Sequence, residues 1–363
     1  MISAEENQLL TQTDPGTACG EMMRRYWQPV ALCEELPSGG APLKVKILGE
    51  ELVLFRDDQG RPGLIGLHCS HRGADLSYGR VEDGGLRCLY HGWLYDVCGR
   101  VLHQPGEPGG GANKNAIRHR AHPCQEAGGV IFTYMGPGEP PLLPNYEFLT
   151  VPAAQRSVTK IFYECNYLQG NEGNIDPVHL SFLHQYLEEA KPPLQRIVSG
   201  ADVTDNTLLK RDIAPHIDVE VTDYGLRIYT TRESEPGKTY LRITNFIIPN
   251  LSAFGGSTVG EGYAVHWHVP IDDTRHCGRH LLRNENMRAH FGDDPLRLRP
   301  ILRTALPSGR TQQGFLRALP IDVEEDCESE DEQECERHEE LRARATGGSV
   351  HRKSGESGPI LED

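Results

Sequence analysis

One arrangement constrains this chain more than any other: Cys69-x-His71, a gap of sixteen residues, then Cys88-x-x-His91. Two thiols and two imidazoles in short loops read as metal chemistry first. A tetrahedral zinc site is the obvious rival, since zinc accepts both residue types. The ligand order argues against it. Zinc-finger spacings pair Cys with Cys and His with His, whereas each half here offers one of each. A [2Fe–2S] centre with two thiolates on one iron and two imidazoles on the other needs one of each from two loops. The flanks, CSHRGADLSYG and CLYHGWLYDVCGR, carry Gly73 and Gly92. Glycine there lets the backbone wrap closely around sulfide and aim amide donors at it.

The surrounding text is built of short strands between turn residues. VKIL, ELVLFR, the turn DDQGRPG and LIGLH precede the second loop, and GGVIFTYM closes the set. Thirty-nine glycines and 25 prolines exceed the usual combined share of about 12 %. These features predict an all-β sandwich or barrel over 27–136, after an N-terminal helical segment in 1–26. MGPGEPPLLPNYEF predicts a linker over 137–148. Beyond it, HIDVEVTDYGLRIYTTRE, YLRITNFIIPN and GYAVHWHVPID alternate as half-buried strands, and a helix is expected after Pro177. An α+β domain with an antiparallel sheet over 149–320 fits. After about residue 275 the text turns Arg-rich, and residues 322–344 hold twelve acids against three arginines. A disordered acidic tail is expected over 321–363. A net charge of −15 argues against a nucleic-acid grip. No run of 18 apolar residues spans a membrane, and no basic-then-apolar leader opens the chain, so a cytoplasmic location is expected.

A second metal candidate lies in GNEGNIDPVHLSFLHQ, which holds Asp176, His179 and His184. Two histidines with a carboxylate and open positions are the facial triad of non-haem Fe(II) oxygenases. On an ideal helix, residues five apart point about 140° apart, so His179 and His184 converge only across a π-bulge. By spacing alone, ordinary helix histidines remain the competing reading. His266 and His268 flank Trp267 on one strand face, where cavity lining, packing or an alternative iron pair are all open. His103, His119 and His122 are expected exposed or locally bonded, and Cys98 and Cys124 as buried thiols.

The two Cys/His boxes, with their HRGA and YHGW extensions, resemble the Rieske signature. D-x-x-H-x-x-x-x-H downstream resembles the mononuclear-iron motif of Rieske oxygenase α subunits. The chain is most similar to the phthalate-dioxygenase-like branch, which includes aromatic O-demethylases such as dehydrodivanillate O-demethylase. The resemblance implies an N-terminal Rieske domain followed by a catalytic domain of helix-grip type. It implies that Cys69 and Cys88 bind one cluster iron, His71 and His91 the other, and His179 and His184 the mononuclear Fe(II). It makes Asp176 the bridge between His91 of a neighbouring chain and His179 in a head-to-tail homotrimer. It implies a ferredoxin or flavin reductase drawing on NAD(P)H, and hydroxylation, dihydroxylation or O-demethylation of an aromatic substrate with O2. The rival is an electron carrier or an impaired relative without a complete mononuclear site. Two departures stand out. Gly173 occupies the place where many relatives have Asn, with Asn174 beside it. The third carboxylate, expected from a late helix, is not located: Asp293 and Asp294 are the only acids between 286 and 321, and neither sits in the family context. Divergence, or a shifted reading frame past codon 275, accounts for the fading resemblance after Thr274; translating the other two frames tests the latter.

Overall fold

The computed structural model describes residues 2–183, 212–235, 237–255 and 262–284. Ser3 accepts from the Glu6 N–H and Glu6 reaches back to the Ser3 N–H, a capping box that starts α1 (Ala4–Thr11). Thr17 caps α2 (Ala18–Met23). Eleven short strands follow: β1 (Gln28–Leu32), β2 (Leu43–Ile47), β3 (Glu50–Arg56), β4 (Pro62–Gly66), β5 (Arg80–Glu82), β6 (Gly85–Arg87), β7 (Leu94–Tyr95), β8 (Val101–His103), β9 (Ala121–His122), β10 (Cys124–Ala127) and β11 (Val130–Thr133). They form three antiparallel sheets, ordered β1-β11-β10, β2-β3-β4-β9 and β5-β6-β7-β8. Val53, Phe55, Ile65, Leu67, Leu86 and Tyr95 make a core that closes around Cys69 and Cys88.

The second half is one seven-stranded antiparallel sheet, ordered β12-β18-β17-β16-β15-β14-β13. Its strands are β12 (Arg156–Tyr163), β13 (His216–Thr222), β14 (Gly225–Glu235), β15 (Lys238–Ile247), β16 (Leu251–Gly255), β17 (Gly262–Asp272) and β18 (Arg275–Asn284). The fold is therefore α+β, an all-β N-terminal part followed by an antiparallel sheet with few helices. A shared apolar core joins the two parts, containing Trp27, Phe132, Phe148, Val265, Trp267 and Leu281. Phe148 and Leu149, on α3 (Glu147–Thr150), are buried in it, and Phe148 meets Trp267 edge-on with ring centroids 5.5 Å apart. The tight turn after β2 adds backbone bonds, Leu48 N–H to Pro270 and Gly49 N–H to Ile271, both 2.9 Å. Arg279, 4 % exposed, donates to the Val30 carbonyl.

The downstream motif opens with α4 (Tyr167–Ile175), which ends before Pro177. Asn166 caps it, its side chain accepting from the Leu168 N–H. Proline disfavours helical geometry in the residue before it, and Asp176 accordingly ends the helix in extended backbone, φ −77° and ψ 114°. Of the helix expected after Pro177, the described residues hold a single 3-10 turn, His179–Ser181, and the remainder lies outside them. His184, the Arg-rich segment past Asn284 and the acidic tail lie outside the described residues.

Candidate metal centres

The two Cys/His boxes sit on matched loop tips. Gly73 donates to the Cys69 carbonyl and Gly92 to that of Cys88, each closing a tight loop. Both glycines adopt the left-handed conformation, φ 70° and 74°, which side chains disfavour. Cys69 and Cys88 are 4 % and 3 % exposed, and the His71 and His91 rings approach to 4.6 Å between centroids. His71 stacks on Trp93, with ring planes 2° apart. Its Nδ1 is buried with no hydrogen-bond partner among the described residues. A buried nitrogen left without a partner costs free energy unless a ligand takes it. Two thiols, two imidazoles and an orphaned ring nitrogen thus fit a cluster that takes two ligands from each loop. No group of three or more His, Cys, Asp or Glu among the described residues could hold one ion together.

A hydrogen-bonded shell surrounds this site. Tyr95, fully buried, places its hydroxyl 3.0 Å from Cys69 Sγ and 3.2 Å from the Ser70 N–H. Because the hydroxyl accepts from Ser70, its own proton is available for the sulfur. Burial pushes this phenol well above the usual range, so it remains a donor. His119 sits between Ser70 Oγ, 2.7 Å, and the Gly66 carbonyl, 2.8 Å. It and His122 are buried, and burial first of all lowers His122 to about 4. Cys98 is exposed rather than buried, because its side chain leaves the turn that Asp96 caps.

The second motif is carried by the end of α4. Asp176 Oδ1 accepts from the Val178 N–H at 2.7 Å, and its Oδ2 lies 3.5 Å from His179 Nδ1. Arg232 on β14, 2 % exposed, clamps the following turn, donating to the Pro177 carbonyl at 2.8 Å and to Ser181 Oγ at 3.1 Å. Above the sheet, α4 meets a polar face. Ladder partners share a face, so His266, His268, His276, His280, Arg242 and Arg232 all project from the same side. All six are buried. The alternatives left open for His266 and His268 resolve toward this buried cluster. Burial and the neighbouring imidazoles hold both far below the ordinary histidine range, and His280 falls to about 3. Arg242 lies 5.5 Å from the Phe254 ring centroid, and no ion pair to it is present among the described residues. His276, His280, Arg232 and Arg242 escaped the sequence reading. Their only signal there was period-two alternation along three strands. Trp267, on the opposite face, lines a separate apolar groove of about 480 Å³ with Trp27, Phe132 and Tyr146.

Comparison with known proteins adds the family context. The Rieske [2Fe-2S] domain profile matches residues 26–124, and the LigXa C-terminal domain like profile matches residues 133–289. The phenoxybenzoate dioxygenase subunit alpha of Ectopseudomonas oleovorans is 38 % identical over 74 % of this chain and 66 % of its own length. The 3-chlorobenzoate-3,4-dioxygenase oxygenase subunit of Comamonas testosteroni is 33 % identical over 82 % of this chain and 67 % of its own length. The chain therefore spans about two thirds of these relatives. A crystal structure of dicamba monooxygenase bound to dicamba shares the fold, with a TM-score of 0.59 at 20 % identity, covering 91 % of this chain and 92 % of that one.

Proposed function

Since the chain belongs to the family of Rieske non-haem iron oxygenase α subunits, we propose that it is the oxygenase component of a system that uses O2 and electrons from NAD(P)H on an aromatic substrate. The reaction class is hydroxylation, dihydroxylation or O-demethylation, carried out in the cytoplasm. Among the described residues no helix is long and apolar enough to cross a membrane. Cys69 and Cys88 would hold one iron of the cluster and His71 and His91 the other. His179 and His184 would hold the mononuclear iron, with a carboxylate from beyond the described residues.

The observation that carries this reading over that of an electron carrier is the Asp176–His179 pair at 3.5 Å, presented by α4 over the sheet. A carboxylate beside Nδ1 would orient the imidazole, and His179 would be one of the residues that hold the iron. An Fe(II) ion with two imidazoles and one carboxylate supplies open coordination positions for O2 beside the substrate. The polypeptide's share is orientation and charge. Asp176 holds the ring of His179, Arg232 holds the turn that carries it, and the low-exposure sheet face keeps water from the reacting groups. Arg242 offers a buried guanidinium with no carboxylate on it among the described residues, which favours an aromatic carboxylate as substrate. The phenoxybenzoate and 3-chlorobenzoate named in the relatives are of that class.

Two exposed apolar patches support assembly into a homotrimer that joins His91 of one chain to Asp176 of the next. Tyr78, Leu89 and Tyr90 stand 73 %, 53 % and 63 % exposed around the cluster loops, and Phe182 and Leu183 stand 61 % and 78 % exposed beside His179. A ferredoxin, a flavin reductase or both would deliver the electrons. Iron and sulfide analysis tests the reading. An oxygenase holds about three Fe and two sulfide per chain by this ligand count, whereas a carrier stops at two Fe. Two Fe together with no substrate-dependent O2 uptake would reject the oxygenase assignment.

A further inference from the structure

The histidines beneath α4 are arranged so that their contacts leave one distribution of protons. His276 Nδ1 lies 2.8 Å from the Cys165 carbonyl, which only accepts, so Nδ1 carries the hydrogen and Nε2 does not. His268 Nδ1 lies 3.0 Å from that Nε2 and must donate to it. His268 Nε2 is then an acceptor, and the Asn174 amide nitrogen donates to it at 2.6 Å. The amide orientation follows, so Asn174 Oδ1 accepts from His266 Nδ1 at 3.2 Å. His266 ends the chain stacked on His280, 3.7 Å between centroids and 10° between planes. Every donor meets an acceptor while all three rings are neutral, and each ring carries its hydrogen on Nδ1. Deep burial and mutual repulsion disfavour protonation of these rings, which agrees with that neutral arrangement.

We propose that this relay from Cys165 through His276, His268 and Asn174 to His266 is a positioning device for the Asp176–His179 pair, with His268 as its central positioning residue. Asn174 stands two residues before Asp176, the residue that closes α4, and the relay fixes both ends of its amide. Gly170 is the second mark of the design. A Cβ there would lie 2.3 Å from His268 Nδ1, so the helix backbone docks directly on the imidazole. With Arg232 gripping Pro177 and Ser181, the motif is held from both sides. The catalytic consequence rests on the oxygenase reading above; the proton arrangement does not.

His268→Gln keeps a donor and an acceptor, whereas His268→Met keeps volume and loses both. In single turnovers of the reduced holoenzyme, His268→Met should yield about 10–100-fold less product per reduced cluster with an unchanged visible cluster spectrum. His268→Gln should recover most of it. Equal activity in His268→Met, or equal failure of both variants, would overturn the positioning role. Neutron diffraction from the wild-type holoenzyme reads the relay independently of activity or of any variant's folding. It should place hydrogen on Nδ1 of His276, His268 and His266, and hydrogen on Nε2 of His268 would overturn the proposal. A wild type that holds two Fe and makes no product would remove the oxygenase reading instead, while the nuclear density still decides the relay.

Discussion

Replacing Tyr95 with Phe isolates one hydrogen bond to the cluster site. The hydroxyl lies 3.0 Å from Cys69 Sγ, on a side chain that is 0 % exposed, so water cannot take its place. A proton shared with a thiolate stabilises the reduced cluster more than the oxidised one, because the added electron increases charge at sulfur. Losing it must therefore lower the potential. Net hydrogen-bond contributions run at about 0.5–1.5 kcal/mol, and for one electron about 1.4 kcal/mol corresponds to about 59 mV. The expected drop is about 20–60 mV. The same substitution strips the Ser70 N–H of its acceptor, 3.2 Å away, and should cost about 1–3 kcal/mol of stability. The ring packed against His119, 4.6 Å between centroids, is retained, so the fold should survive. A redox titration followed by the EPR signal of the reduced cluster reads the potential directly. An unchanged or higher potential in Tyr95→Phe would refute the argument.

Three further outcomes are expected. Asp176→Asn should leave the cluster spectrum and iron content intact while single-turnover product formation falls at least about 10-fold, and normal turnover would remove the bridging role. Arg242→Leu should raise KM for aromatic carboxylates by about 10–100-fold with a smaller effect on kcat, the value of about 1.5–3 kcal/mol for hydrogen bonds to a charged group; an unchanged KM across a panel of benzoates would reject Arg242 as the anchor. Acid should destabilise the protein through its buried neutral histidines. His122 falls from 6.5 to about 4 and His280 from 6.5 to about 3 on folding. The unfolded chain therefore takes up more protons over that interval, so this stability is fully present above about pH 6.5 and lost as pH falls toward 4 and below. His122 alone accounts for about 3 kcal/mol, and His122→Leu should flatten the melting-temperature profile between pH 6.5 and 4. An equally steep profile in that variant would show that other groups control the acid response.

Pro177 was legible as a boundary, since proline restricts the residue before it as well as favouring helix starts. Here that restriction, acting on Asp176, closes a helix already begun at the Asn166 cap. Short range decided most of what was legible beforehand. Each cluster ligand pair lies within three residues on one loop, the glycines that shape those loops are adjacent, and the strands around them alternate with period two. Covalent neighbours set that geometry, so residue order was enough to specify it. The histidine relay and the Arg232 clamp belong to another scale. His266 and Asn174 are 92 residues apart, His276 and Cys165 are 111 apart, and Arg232 and Ser181 are 51 apart. Nothing in local spacing brings them together; the register of β17 against β18 and the docking of α4 on glycine do. Proton placement in that relay depends on burial and on which atom faces which, and those quantities exist only once the chain has packed.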